Sequence, residues 1–109
     1  MKTLIYDRKQ LNSYKDFYEK IYEDMDGKNM TDWDSFENLG YDTDNLNEFL
    51  WYCHDRNIHY VFKNFDLEKI KNYKNYENYK WFLVFNAFNR FVGKYPNNKL
   101  EFINDENKE

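Results

Sequence analysis

Residues 58–62 read IHYVF, a run of β-branched and aromatic side chains that predicts a β-strand near 58–63. Two other runs have strand character, KTLIY at residues 2–6 and the stretch from Leu100 to Ile103. The segments between these runs are too long for hairpins and long enough for helical crossovers. This spacing predicts parallel pairing in one sheet, with right-handed connections.

Capping and periodicity signals predict helices between the strands. Ser13 is expected to cap a helix over 13–24, which ends at the turn signal 26–29. Asn45 is expected to cap a helix over 44–55. The other expected elements are a short helix over 31–39 capped by Thr31, a helical turn over 66–70, a loop or weak helix over 71–79, and the strongest helix over 77–92.

The resulting order, β–α–α–α–β–α–α–β, predicts a small α/β fold in which a three-stranded parallel sheet is packed with four to five helices. A chain of 109 residues has the length of one domain. We therefore expect a single domain over residues 1–109 with a polar tail at 104–109.

Charge is distributed unevenly along the chain, although the net charge is only −4. Residues 22–55 hold ten acidic residues and one basic residue, whereas residues 56–100 hold nine basic and three acidic residues. This asymmetry predicts an acidic face. Such a face repels nucleic acid and attracts proteins that bind nucleic acid, so we expect a basic protein partner and no direct nucleic-acid binding.

The chain lacks the common catalytic and metal-binding patterns. The D-x-D pairs at 24–26 and 42–44 lack the Gly and Glu that a calcium loop requires at its sixth and twelfth positions. Cys53, His54 and Asp55 are adjacent on a predicted helix, so their side chains point in different directions and cannot form a triad. We expect no catalytic residue, no metal site and no cofactor.

Cysteine usage and apolar runs indicate the compartment. A single cysteine, Cys53, excludes an internal disulfide and suits a reducing environment. The first apolar run, at 4–6, is too short for a signal peptide, and the longest, at 81–85, is too short to span a bilayer. We expect a cytoplasmic protein without membrane contact.

The predicted helix over 31–39 combines acidic and aromatic residues. Asp34 should share a face with Glu37 and Asn38 at helical spacing, while Trp33 and Phe36 should anchor the helix to the core. The helix would then present carboxylates to a partner. The alternative is that the acidic residues only complement the dipole of the first helical turn.

Tyrosines and lysines interleave over residues 71–80. Tyr73, Tyr76 and Tyr79 alternate with lysines, of which Lys80 is the last, and this pattern is compatible with stacking on nucleic-acid bases. We favour the simpler interpretation, in which tyrosines cover a helix and lysines solvate it.

Several segments of the chain resemble the barstar family of ribonuclease inhibitors. Residues 5–7, 11–13 and 16–18 resemble the first strand and helix of that family. Residues 33–36 resemble its second-helix motif, with Asp32 where an Asn usually stands. The strand at 60–64, the final helix and the closing strand match in order and spacing, so the resemblance covers nearly the whole chain.

The resemblance implies a fold and a mechanism, in which helix carboxylates enter a ribonuclease and occupy its phosphate-binding site. Asp34 falls on an acidic contact position of the family, whereas the principal acidic position falls on Asn38. A rival alignment places Asn45 and Leu46 on the motif. The expected partner contacts are Asp32, Asp34, Glu37, Asn38, Asp42, Asp44 and Glu77.

Three functions remain open from the sequence. The first is an inhibitor of a basic ribonuclease toxin, acting as its immunity protein and monomeric when free. The second is an inhibitor of another nucleic-acid enzyme, such as a phage-borne acidic mimic of nucleic acid. The third is a small enzyme of unknown reaction, which would require His54 or His59 to line a cleft with a carboxylate.

Overall fold

The computed structural model describes residues 1–104, so all of the predicted tail at 104–109 except Asn104 lies outside the described residues. Within them, three strands and six helices alternate along the chain. A 3-10 turn over Arg8–Gln10 follows the first strand. The other elements, in chain order, are β1 (Lys2–Asp7), α1 (Tyr14–Asp24), α2 (Gly27–Met30), α3 (Phe36–Leu39), α4 (Thr43–Tyr52), β2 (Ile58–Lys63), α5 (Leu67–Asn72), α6 (Tyr76–Lys94) and β3 (Lys99–Ile103).

The three strands form one parallel sheet with β2 in the centre. Tyr60 of β2 lies opposite Leu4 of β1 and Leu100 of β3, and both neighbouring strands run in the same direction as β2. The predictions of a small α/β fold and of parallel pairing are therefore confirmed. Each crossover contains helices, as parallel connections require.

One single-turn helix, α2, raises the helix count to six, above the four to five expected. The segment 26–29 was predicted to be a stop, but α2 forms there after Asp26 adopts a left-handed backbone with φ of 56°. The Asn29 side-chain amide donates to the Asp26 carboxylate at 2.9 Å and supports this turn. The stretch 71–79 is not one loop, because α5 and α6 take up most of it and leave a short turn at 73–75.

Helices α1 and α6 cover one face of the sheet with aromatic rings. Phe17 of α1 packs edge-on against Tyr6 of β1, with ring centroids 4.9 Å apart. Phe88 of α6 lies 5.1 Å from Phe62 and 4.9 Å from Tyr60, both of β2. Strand residues alternate between faces, so these inward rings form the core and their neighbours point away from it. Large rings supply most of the buried area here.

Within residues 1–104, two buried hydroxyls, those of Tyr6 and Tyr18, have no hydrogen-bond partner. Tyr18 of α1 is completely buried, and its hydroxyl has no hydrogen-bond partner within residues 1–104. Burial raises the pKa of Tyr18 well above its ordinary value, so the side chain remains neutral. An unpaired buried hydroxyl opposes folding because it gives up its bonds to water.

We therefore predict that Tyr18→Phe stabilises the protein by up to about 1 kcal/mol, since it removes the unpaired group and keeps the ring. Unfolding in urea, monitored by circular dichroism, measures the change. Tyr60→Phe is the matched control, because the Tyr60 hydroxyl lies 3.7 Å from the Cys53 sulfur and its loss should not stabilise. A clear loss of stability in Tyr18→Phe would contradict the prediction.

Candidate functional site: an acidic groove

An acidic groove of about 600 Å³ lies beside α1, where the turn into α2 and the segment before α3 approach that helix. Two lysines, Lys20 and Lys28, also line it. Carboxylates outnumber the lysines, so the groove favours a cationic partner. The acidic residues that line it, and that define the acidic groove below, are Asp16, Glu19, Glu23, Asp26 and Asp34.

Helix α1 provides three of these carboxylates. Asp16, Glu19 and Glu23 are three and four residues apart, which places them on one face of the helix. Asp16 accepts a hydrogen bond from the Asn12 backbone at 2.8 Å, and Glu19 accepts one from the Tyr41 hydroxyl. These residues were not among the predicted contacts, although their helical spacing was visible in the sequence.

Asp34 reaches the groove from a non-helical segment, so the prediction of a helix over 31–39 was wrong at its start. Thr31 does not cap α3. It follows the last residue of α2, and its hydroxyl donates to the Gly27 carbonyl at 2.9 Å. Ser35 caps α3 instead, its hydroxyl accepting from the Asn38 backbone at 3.2 Å. Asp32, which is exposed, also precedes the helix.

The structure brings Asp34 and Asn38 together, as predicted. The Asn38 side-chain amide donates to Asp34 Oδ1 at 2.9 Å. This bond holds one carboxylate oxygen of Asp34 and leaves the residue exposed at the groove. Glu37 is exposed in the first turn of α3, and it does not line the groove.

Aromatic packing fixes the segment that carries Asp34. Phe36 is completely buried, and Trp33, which is half-buried, packs edge-on against it at 5.0 Å. The Tyr22 hydroxyl donates to the Trp33 carbonyl at 2.7 Å. A Cβ atom added to Gly27 would lie 2.4 Å from the Tyr22 ring, so only glycine permits this ring position. The predicted anchoring role of Trp33 and Phe36 is confirmed.

Asp42 has a structural role as the cap of α4. Its carboxylate accepts from the Asn45 backbone at 3.0 Å and from the Asn45 side-chain amide at 3.3 Å. The prediction that Asn45 caps this helix was wrong, because the helix begins at Thr43 and places Asn45 inside the first turn. Asp44 lies in that first turn and is exposed.

Glu77 connects the first turns of two helices. Its Oε2 atom accepts from the Tyr14 backbone at 2.6 Å and from the indole nitrogen of Trp81 at 2.8 Å. Tyr14 begins α1 and Trp81 is buried in α6, so the carboxylate ties these helices together. Glu77 also lies outside the residues that line the acidic groove.

The outer side of α4 presents a second acidic surface. The rival alignment, which places Asn45 and Leu46 on the family's second-helix motif, would make this helix the contact helix. Asp44, Glu48 and Trp51 share one face at helical spacing. The Trp51 side chain is 54 % exposed and stacks on His54 with ring centroids 5.9 Å apart. Exposed tryptophans are frequent anchors of protein interfaces. The sequence analysis did not select Trp51.

The histidines and the cysteine make local contacts with nearby groups. His54 Nδ1 lies 2.6 Å from the Trp51 carbonyl, and His59 pairs with Glu101 at 3.0 Å. Burial raises the pKa of the Cys53 thiol, which makes it a poor nucleophile. Neither histidine lines the acidic groove. Among residues 1–104, no group of three or more His, Cys, Asp or Glu side chains could hold a metal ion.

Comparison with known proteins found no family model, no curated protein and no solved structure that matches this chain. In the part of the chain that the structure describes, no helix has the length and apolar character needed to cross a membrane.

The geometry of Glu77 predicts a large effect on stability. Glu77→Ala should destabilise the fold by about 2–4 kcal/mol, because two donors lose a charged acceptor. Glu77→Gln keeps a side-chain oxygen that can accept, so it should cost less. Urea unfolding measures both variants. Glu68→Ala, an exposed acid on α5, is the control and should change stability by less than about 0.5 kcal/mol. A similarly small change in Glu77→Ala would contradict the assigned role.

Asn38→Asp would place a second carboxylate beside Asp34. Mutual repulsion should raise the pKa values of the pair in the folded state, so the variant loses stability as pH rises through those values. We expect a loss of about 0.5–1 kcal/mol near pH 7 that largely disappears near pH 3.

Urea unfolding at the two pH values tests this expectation. Asn38→Ala, which removes the bond to Asp34 and adds no charge, provides the control, because its loss should vary less with pH than the loss in Asn38→Asp. The prediction fails if Asn38→Asp and Asn38→Ala show the same pH dependence.

Proposed function

We propose that this protein inhibits a basic ribonuclease by inserting carboxylates into the phosphate-binding site of that enzyme. The observation that carries the proposal is the acidic groove, in which carboxylates from α1, from Asp26 and from Asp34 line one surface. The resemblance of the strand and helix order to the barstar family supports the same function. The expected location is the cytoplasm, and the free protein is expected to be a monomer.

Carboxylates are suitable substitutes for phosphate in this setting. An Arg or Lys that binds a scissile phosphate forms charge-assisted hydrogen bonds equally well with a carboxylate. Asp34 is the strongest candidate for such a contact, because Trp33 and Phe36 fix its segment and Asn38 orients its side chain. Since its segment is already ordered, little conformational entropy is lost on binding.

Inhibition of a different nucleic-acid enzyme is the second candidate. Asn38 occupies the position of the family's principal acid, and Asp34 lies in the non-helical segment before α3. The partner surface would then differ from that of a barstar-type target. Asp44 and Glu48, together with the exposed Trp51 on α4, would provide additional contacts for this target.

The proposal predicts fast association that depends on salt. Association rates should fall as ionic strength increases, because screening weakens the attraction between the acidic groove and a basic target.

Asp34→Ala should weaken binding of the target by about 2–5 kcal/mol if Asp34 meets a buried Arg or Lys, because that cation is left unpaired. Stopped-flow mixing with a candidate basic ribonuclease, and calorimetry of the variants, provide the measurements.

Glu68→Ala is the matched control, because it removes one exposed acidic charge from α5, away from the acidic groove. It should change the association rate slightly and leave the dissociation rate unaltered. Unchanged affinity in Asp34→Ala would exclude the segment before α3 from the interface. If affinity instead fell in Trp51→Ala, the outer face of α4 would be the contact surface.

A further inference from the structure

The tyrosines and lysines of residues 71–80 follow the favoured interpretation only in part. The Tyr73 ring packs on Tyr79 and Phe82 of α6, and Lys71 and Lys74 are exposed to solvent. Tyr76, however, is 66 % exposed, and Lys80 is only 8 % exposed. The Tyr76 ring is therefore available to a ligand, and Lys80 is held in place between protein groups.

The ammonium group of Lys80 is positioned by two tyrosine rings. It lies 5.2 Å from the ring centre of Tyr14 and 5.9 Å from that of Tyr76, and these rings are 6.2 Å apart. Within residues 1–104, no carboxylate forms an ion pair with it. The adjacent Glu77 directs Oε2 to the Tyr14 backbone and to Trp81. Among residues 1–104, the buried side-chain polar atoms without a hydrogen-bond partner belong to Tyr6 and Tyr18, so the Lys80 ammonium is reachable from solvent although its stem is buried. An ammonium held in this way without an ion pair is suited to an external anion.

The surroundings of Lys80 carry charges of both signs. Tyr14 and Tyr76 are the first residues of α1 and α6, and the Glu77 carboxylate offsets the positive end of the α1 dipole by accepting from the Tyr14 backbone. Lys71 and Lys74 are exposed in the preceding segment. The net charge of −4 does not cancel this local field, because screening limits the reach of distant charges to about 8–10 Å.

We propose that this corner binds a nucleoside phosphate, with the phosphate against Lys80 and the base stacked on the exposed ring of Tyr76. Tyr73 and Tyr79, whose ring centroids are 5.5 Å apart, offer a further stacking surface beside it. Aromatic stacking tolerates any base, and the ammonium contacts only the phosphate. The site is therefore expected to bind without preference for base sequence. The ligand is either a free nucleotide or a segment of single-stranded nucleic acid.

This site is separate from the proposed inhibitory function. None of the residues that define it lines the acidic groove. Binding of a nucleic-acid strand at this site would also run against the expectation, from the charge distribution, that the protein makes no direct contact with nucleic acid. The two proposals can therefore fail independently of each other.

Fluorescence anisotropy with a labelled oligouridylate of about ten nucleotides tests the proposal at low salt. We expect micromolar-range binding that weakens as salt is added. Competition with unlabelled uridine monophosphate distinguishes the two sources of ligand. Effective competition identifies a free nucleotide as the ligand, whereas weak competition identifies a nucleic-acid strand. Absence of oligonucleotide and nucleotide binding would overturn the proposal.

Two variants locate the site. Lys80→Met removes the charge and keeps the apolar stem, and it should weaken binding by about tenfold or more. Lys94→Met is the matched control, because Lys94 lies at the opposite end of α6 and its ammonium also lies near a ring, 5.6 Å from that of Tyr95. Equal losses in the two variants would mean that only net charge matters, which would overturn the proposed site.

Tyr76→Ala provides an independent test, since this side chain is largely exposed and its removal leaves the core intact. Binding should weaken by about tenfold through loss of base stacking. Inorganic phosphate is the probe for charge alone, and it should compete only at much higher concentration than the nucleotide. Unchanged binding in Tyr76→Ala, or equal competition by inorganic phosphate, would overturn the stacking part of the proposal.

Discussion

The packing of aromatic rings around Phe62 holds the layers of this protein together. Phe62 lies near the carboxyl end of the middle strand and is completely buried. Its ring packs on Tyr6 of β1 and Phe102 of β3, on Phe17 of α1, and on Phe85 and Phe88 of α6. One side chain therefore contacts all three strands of the sheet and both covering helices. A smaller residue there would leave a cavity shared by every layer.

The acidic groove depends on this core through a short chain of contacts. Helix α1 packs on the sheet with Phe17 and presents its carboxylates on another face. Tyr22, one turn from the end of α1, lies over Gly27 and donates to the Trp33 carbonyl. The position of Asp34 therefore follows from the position of α1. Three of the groove carboxylates lie on α1, and packed aromatic rings hold the segment that carries Asp34. Such support is what a preorganised binding surface would require.

The sequence predicted the sheet and the long helices because their signals are local. The run at 58–62 and the periodic stretch at 77–92 specify their structure within a few residues. The start of α3 was not predictable in this way, because Thr31 and Ser35 are both good caps and only their neighbours decide between them. The Thr31 hydroxyl donates instead to the Gly27 carbonyl of α2, a helix that the sequence did not indicate.

Tertiary contacts form the acidic groove and the surroundings of Lys80, and for that reason the sequence predicted these surfaces only in part. Asp34 was correctly expected beside Asn38, since four residues separate them. The spacing of Glu77 from Trp81 was equally visible, yet its bond to the Tyr14 backbone joins residues far apart in the chain. The burial of Lys80 also results from such contacts, because Tyr14 comes from another helix.

The parallel sheet has a consequence for the order of events during folding. Residue 60 pairs with residues 4 and 100, so neither interface of the central strand forms by local closure of the chain. Each pairing must first overcome the entropy of closing a long loop, and contacts of this kind slow folding. Helices α1 and α6 can form earlier, because their hydrogen bonds are local. Until the strands join, rings destined for the core remain exposed, and in this interval the chain is most prone to aggregation.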